Sequence, residues 1–198
     1  MEIQAKGVKI NYIMNGSGQD VILLHGWGQN IEAFAAVHQH LASCFRVFTI
    51  DFPGFGASVD PPKPWTVKDY AEMLEDFVKQ LGIKNPILMG HSFGGRVGIV
   101  YASRNPVCKM ILVDSAGIKP KRSLSYYLKV YSFKTAKYLL KFPIVNRKEE
   151  VLLQKLRAKF GSSDYTNVSG VMQQTMVLVV NEDLQPFMPK IQAPTLLI

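Results

Sequence analysis

The chain has 198 residues, 47% of them hydrophobic and 19% charged, which is enough for one domain with a sizeable core and too apolar for a disordered segment. Membrane spans need roughly 18 or more consecutive apolar residues, and no such run occurs; Met1 to Lys6 also lacks the basic-then-apolar build of a secretory signal. The expectation is a cytoplasmic protein without stable membrane insertion.

Charge and cysteines narrow the classes further. The net charge of +8 is concentrated in residues 117–159, where twelve Lys or Arg stand against two Glu, and the remainder is slightly acidic. Charge without a nucleic-acid-binding motif gives no reason to expect nucleic acid as a partner. Cys44 and Cys108 form no Cys-x-x-Cys pair and stand near no His cluster. Neither a disulfide framework nor a metal site is implied, and no organic cofactor is.

Taken in order, Val8 to Met14 reads as an early strand that stops in the turn cluster Asn15-Gly16-Ser17-Gly18. Val21 to Leu24 is wholly apolar, as in a strand buried on both faces, and is closed by His25-Gly26. Residues 30–42 read as a helix with Ile31, Phe34, Val37 and Leu41 on one stripe, and Arg46 to Ile50 as the next strand. Thr66, with Asp69 three residues on, starts a long helix that runs to Leu81 and is stopped by Gly82. Pro86 to Met89 is a strand feeding directly into Gly90-His91-Ser92-Phe93-Gly94-Gly95 and a helix to about Arg104. Lys109 to Val113 follows as a strand. Strands alternating with helices predict an α/β fold, a mostly parallel central sheet with helices on both faces.

After Gly117 the rhythm changes to about seventy Lys-rich, aromatic residues of helical pattern, with breaks at Pro143, Gly161 and Gly170. A strand restarts at Ala193-Pro194-Thr195-Leu196-Leu197-Ile198. The chain is therefore divided into a core at 1–116, a helical cap insertion at 117–190 and the start of a returning core strand at 191–198.

The sharpest local feature is Gly90-His91-Ser92-Phe93-Gly94, a G-x-S-x-G between a strand and a helix. A hydroxyl is a poor nucleophile unless it stands clear of the sheet beside a base and facing backbone N–H donors. A tight strand-to-helix turn supplies that position, and Gly90 and Gly94 leave room for its cramped backbone. The pentapeptide alone is a weak signal; its placement makes it specific. His25-Gly26-Trp27-Gly28 follows the first central strand, where a glycine-rich loop can turn the Trp27 N–H toward the serine alongside that of Phe93. Asp51-Phe52-Pro53-Gly54-Phe55-Gly56-Ala57-Ser58 follows the next strand at the same sheet edge.

With these three motifs in this order, the chain resembles the α/β-hydrolase superfamily, in particular its capped members that act as esterases, carbon–carbon bond hydrolases and iminopeptidases. The resemblance runs the length of the chain. It implies Ser92 as catalytic nucleophile, Trp27 and Phe93 as the oxyanion hole, and His25, Gly26, Gly28, Gly90, His91, Gly94 and Asp51 as residues supporting the site. It further implies a small, mostly apolar ester, amide or carbon–carbon substrate, processed through an acyl-enzyme. A serine at the elbow argues against the dehalogenase and epoxide-hydrolase branches, where the resemblance calls for an aspartate.

One departure from the family pattern is as informative as the match. The family order is Ser, then Asp or Glu, then His, whereas the histidines here are His25, His38, His40 and His91, none after Ser92. The expectation is a chain short of the fold's last strands and helices, and of the acid and base they carry, and inactive alone. His25 is expected to hold its loop, His91 to turn into the interior, His38 and His40 to be solvated or packed on a surface helix, and Asp51 to brace neighbouring loops. Asp114 could serve as an acid but has no histidine to orient. Two other readings stay open: a non-catalytic binding module that has lost its base, and a chain completed by a partner.

Within the insertion, Leu124, Tyr127, Leu128, Tyr131, Tyr138, Leu139 and Phe142 recur at three- and four-residue intervals, interleaved with Lys129, Lys134, Lys137 and Lys141. The plain expectation is an amphipathic helix or helix pair whose apolar face packs on the sheet domain and whose lysines are solvated. A basic face could also favour anionic substrates or an acidic membrane surface.

Overall fold

The computed structural model describes residues 1–115 and 170–198, together with residues 117, 118, 123–125, 127, 128, 131, 132 and 135 between them. The chain divides into two compact units, Met1–Lys119 with Gly170–Ile198, and Pro120–Ser169.

The first unit is built on a sheet. Its described strands are β1 (Glu2–Ala5), β2 (Val8–Asn15), β3 (Asp20–Leu24), β4 (Arg46–Ile50), β5 (Ile87–His91), β6 (Lys109–Val113) and β7 (Thr195–Leu197). They lie in the order β1-β2-β4-β3-β5-β6-β7. Pairing is antiparallel at β1/β2 and β2/β4 and parallel from β4 through β7. All five residues of β3 are buried, which explains the apolar run Val21–Leu24: a central parallel strand is covered on both faces, and the buried Asp20 at its start pairs with Arg46.

The alternation of side chains along these strands sorts the helices. Val21, Leu23 and Val47 form a cluster with Phe34, Val37 and Leu41, so the helix α1 (Ala35–Leu41) covers one face. Phe48 and Tyr12 meet Phe77 edge-on on the other face, beneath α2 (Val67–Gln80). α2 begins with a capping box: Asp69 N–H donates to Thr66 Oγ1 while the Asp69 carboxylate accepts the Thr66 N–H. Gly82, at a φ of 63°, ends it. The helix α3 (Phe93–Ala102) is buried at every residue.

The helix α4 (Gly170–Asn181) belongs to the sheet unit, although the sequence division places its residues inside the 117–190 insertion. Its side chains and the turn after it are tied to distant parts of the core. Trp65 N–H donates to Thr175 Oγ1 (3.1 Å), Val67 N–H to the Glu182 carboxylate (2.9 Å) and Leu184 N–H to the Gly117 carbonyl (2.9 Å). In the second unit the described residues Leu124, Ser125, Tyr127, Leu128, Tyr131, Ser132 and Thr135 are helical. Leu124, Tyr127, Leu128 and Tyr131, expected on a packed face, are exposed. The expectations for Lys129, Lys134, Lys137, Tyr138, Leu139, Lys141, Phe142, Pro143 and Gly161 fall outside the described residues. No helix among the described residues is long and apolar enough to cross a membrane.

Candidate active site

Strand register brings the sequence motifs together. Leu24 pairs with Gly90, so the loops that leave β3 and β5 start side by side at one sheet edge. Leu24 also pairs with Ile50, which places the loop after β4 on the other side of His25. The three motifs thus occupy the carboxyl ends of three neighbouring parallel strands, the edge where open α/β sheets gather ligands.

Ser92 is the hinge between β5 and α3. Its φ of 48° and ψ of −107° lie in a region that L-residues other than glycine rarely adopt, at a cost of about 1–3 kcal/mol. Surrounding structure holds it there: Ser92 N–H donates to the Val113 carbonyl (3.0 Å) and the Ser92 carbonyl accepts from Arg96 N–H (3.3 Å). The residue is half-buried, and no hydrogen bond joins its Oγ to another described residue. The flanking glycines are steric necessities. A Cβ on Gly94 would lie 2.0 Å from the Leu24 carbonyl oxygen, and one on Gly90 would lie 2.6 Å from the Gly95 nitrogen. Only with bare backbone can α3 cross β3 closely enough to lift Ser92 off the sheet.

Beside it stands the loop after β3. Among the described residues no acceptor takes up the Trp27 N–H or the Phe93 N–H, which is the condition of a donor pair awaiting an oxyanion. Gly28 is exposed with a φ of 73°, and Gly26 lies against the His91 ring, where a Cβ would come 2.8 Å from Nδ1. His25 is fully buried, with its Nδ1 2.7 Å from the Gly26 carbonyl and its Nε2 accepting the Phe52 N–H at 3.0 Å. Burial holds its pKa below the usual histidine range against the opposing pull of the Gly26 carbonyl and Asp51. A neutral ring with both nitrogens engaged braces the loop and has no lone pair left for the serine proton.

Asp51 works the same way for the third loop. Its buried carboxylate accepts from Ile31 N–H (2.8 Å), the Asn11 side-chain amide (2.8 Å) and Ala57 N–H (2.9 Å), joining three segments. Aromatic rings fill the space between. Phe52 and Tyr70 meet Phe93 edge-on at 5.1 and 5.0 Å, and Trp27 meets Phe55 and Phe93 at 4.9 and 5.4 Å. Burial pushes the Tyr70 phenol well above its usual pKa, and its hydroxyl donates to the Pro53 carbonyl (3.0 Å).

The remaining histidines are elsewhere. His38 is buried on α1 between Thr49 Oγ1 (2.7 Å) and Asn15 Oδ1 (3.0 Å), and His40 is exposed. His91, expected to turn inward, is half-buried and reaches across to Gln29, its Nδ1 3.1 Å from Oε1. The reason is Gln29 itself, whose Oε1 also accepts the Gly26 N–H (2.9 Å), so one amide oxygen ties the loop after β3 to the turn at Ser92. Sequence reasoning passed over Gln29, though its position directly after H-G-W-G and the need of the Gly26 N–H for an acceptor were available signals. Asp114 is exposed, with a φ of 45°. Among the described residues no cluster of three or more His, Cys, Asp or Glu is arranged to hold a metal. An apolar cavity lined by Ile99, Met110, Leu112, Met188, Ile191 and Leu197 lies between α3, β6 and β7; Ser92 does not line it.

Comparison with known proteins points in one direction. Residues 21–172 match the family described as alpha/beta hydrolase fold. An uncharacterized protein of Mycobacterium tuberculosis is 32% identical over 142 residues, 70% of this chain and 42% of that protein. A pimeloyl-[acyl-carrier protein] methyl ester esterase of Pseudoalteromonas atlantica is 35% identical over 118 residues, 53% of this chain and 44% of that protein. The solved structure of an esterase from Exiguobacterium antarcticum superposes with a TM-score of 0.71 at 26% identity, covering all of this chain and 79% of that one. The chain thus spans about two-fifths of the length of the curated relatives it matches.

Proposed function

The chain belongs to the alpha/beta hydrolase fold family, and from that premise we propose that it is a cytoplasmic serine hydrolase chain that cleaves a small, mostly apolar ester, amide or carbon–carbon substrate through an acyl-enzyme at Ser92. In such a reaction Ser92 Oγ adds to the substrate carbonyl, and the oxygen that becomes negative is received by the N–H groups of Trp27 and Phe93. The tetrahedral centre collapses to the acyl-serine as the leaving group departs with a proton, and water then releases the acid. The observation that carries the reading is Ser92 itself, held at a φ of 48° by Val113 and Arg96 with flanking glycines that tolerate no Cβ. A binding module has little physical use for a strained backbone under a hydroxyl.

The serine proton needs an acceptor, and the residues after Ser92 contain no histidine. Without one, oxyanion stabilisation and binding leave on the order of 10³ to 10⁴ over water, about 10⁶ short of a full triad. We therefore expect the isolated chain to hydrolyse esters barely or not at all. A second reading, that another segment or chain supplies the acceptor, is favoured by His25, whose two ring nitrogens are already engaged by the Gly26 carbonyl and the Phe52 N–H.

Hydrolysis of p-nitrophenyl butyrate and labelling by a fluorophosphonate test both. The isolated chain should show neither above background, and the chain extended past β7 by the C-terminal segment of an esterase relative should gain both. Ser92→Ala should abolish that gain. Hydrolysis that persists in Ser92→Ala would sink the nucleophile assignment, and brisk labelling of the isolated chain would sink the predicted inactivity.

A further inference from the structure

Gly26-Trp27-Gly28-Gln29 is a β-turn closed by the Gln29 N–H on the Gly26 carbonyl (3.2 Å), with Gly28 at a φ of 73° in the third position, the one that demands left-handed backbone in a type II turn. The Gly26 carbonyl also lies 2.7 Å from His25 Nδ1. His25 Nε2 accepts the Phe52 N–H (3.0 Å), so the ring carries its proton on Nδ1 and gives it to that carbonyl. The peptide between Gly26 and Trp27 is planar and trans, so a carbonyl held by two donors on one side fixes the Trp27 N–H on the other. Among the described residues that N–H has no acceptor.

The other peptide group of Gly26 is held by the same glutamine. A backbone N–H only donates, so the atom 2.9 Å from the Gly26 nitrogen is the amide oxygen Oε1, which carries no proton. His91 Nδ1, 3.1 Å from that oxygen, is therefore the protonated ring nitrogen, and in the neutral ring Nε2 is left bare. The packing is close: a Cβ on Gly26 would lie 2.8 Å from His91 Nδ1 and 2.9 Å from Gln29 Oε1. We propose that Gln29 is a positioning residue for the reaction at Ser92: with its N–H and its Oε1 it holds both peptide groups of Gly26, keeps His91 in the Nδ1–H form and so presents the Trp27 N–H in one fixed direction before a substrate arrives. This role rests on the serine hydrolase reading given above. A donor aligned in advance needs no reorganisation as charge develops on the carbonyl oxygen. The chemistry selects the side chain, since leucine offers no acceptor and asparagine is one methylene too short to reach both donors.

Long-range proton–nitrogen NMR spectra of the 198-residue chain at about pH 8, above the ordinary histidine range, report which ring nitrogen carries the proton. His91 should carry it on Nδ1, and Gln29→Leu should move it to Nε2. The residual dipolar coupling of the Trp27 amide, which reads the direction of its N–H, should fall by about half or more in Gln29→Leu while the couplings of α2 and α3 stay as they are. Gln29→Glu, whose carboxylate offers the same acceptor, should keep both the Nδ1 proton and the Trp27 coupling. A proton on His91 Nε2 in the parent overturns the proposal, as does a Trp27 coupling that is unchanged in Gln29→Leu or lost in Gln29→Glu. If Gln29→Leu does not fold, the parent and Gln29→Glu still decide the matter. None of these readouts uses hydrolysis: ester cleavage that persists in Ser92→Ala would remove the nucleophile and leave the tautomer as measured, whereas a proton on Nε2 would remove Gln29 and leave Ser92.

Discussion

Two flanks of the sheet meet at Ser92 and are held by different kinds of contact. Between β3, β4 and β5, His25 uses both ring nitrogens, the Asp51 carboxylate joins three segments, and the rings of Trp27, Phe52, Phe55 and Tyr70 close around Phe93. Beyond β6, the strand β7 and the residue after it present Leu196, Leu197 and Ile198 at 55%, 72% and 70% exposure, beside an apolar cavity. The contrast teaches that the turn at Ser92 is fixed by hydrogen bonds and ring contacts drawn from β3 to β6, while β7 adds an apolar surface.

The comparison breaks most visibly at Gly94. Gly94→Val should cost more than about 4 kcal/mol or prevent folding, because its side chain meets the Leu24 backbone and neither strand nor helix can yield; urea unfolding of the purified variant measures it. Asp51→Ala comes next, at about 2–4 kcal/mol in the same assay, since three donors lose a buried acceptor together.

A smaller effect is expected from acid. Burial lowers the pKa of His25 and His38 in the folded chain from the usual value of 6.5, so the unfolded chain binds protons more readily. Their contribution to stability is complete above that value and is lost as the pH falls below it, by at most about 1.4 kcal/mol per pH unit for each histidine. His38→Gln should flatten the fall in unfolding free energy between about pH 6.5 and the onset of acid unfolding, and an unchanged slope would remove His38 from the account. Least of all, Leu197→Lys should change stability by no more than about 0.5 kcal/mol while reducing aggregation measured by light scattering, because the substituted side chain is already in water on an open strand edge. A large loss of stability there would show that the second flank is packed as firmly as the first.

What the sequence revealed follows the same divide between local and distant causes. β4, β6, the apolar Val21–Leu24 of β3 and the Thr66–Asp69 start of α2 were legible because each is written in its own residues. The elbow was legible for a related reason, since strand, glycines and helix are contiguous. β1 was missed: Glu2–Ala5 is a short edge strand that buries only Ala5 fully and exists by pairing with β2 across the Lys6–Gly7 turn. β5 runs two residues further than its apolar stretch because Gly90 and His91 pair with Leu112 and Val113. The 30–42 helix opens as a tight turn at Ile31–Phe34, where Asn30 caps the Glu32 N–H and Asp51 captures that of Ile31. The reach of Gln29 to His91 and the docking of α4 depend on partners 62 and 110 residues away, which no local pattern displays.

The hydrogen bond from Leu184 to Gly117 has a bearing on how such a chain can change over evolutionary time. It stitches the outgoing and incoming backbone together at one point of the sheet unit, so the fifty residues of Pro120–Ser169 are bracketed in sequence by a closed neck. The entropy of closing a loop grows only slowly with its length. Lengthening or shortening that excursion should therefore cost the sheet unit little, and the strand register and the serine turn can stay as they are.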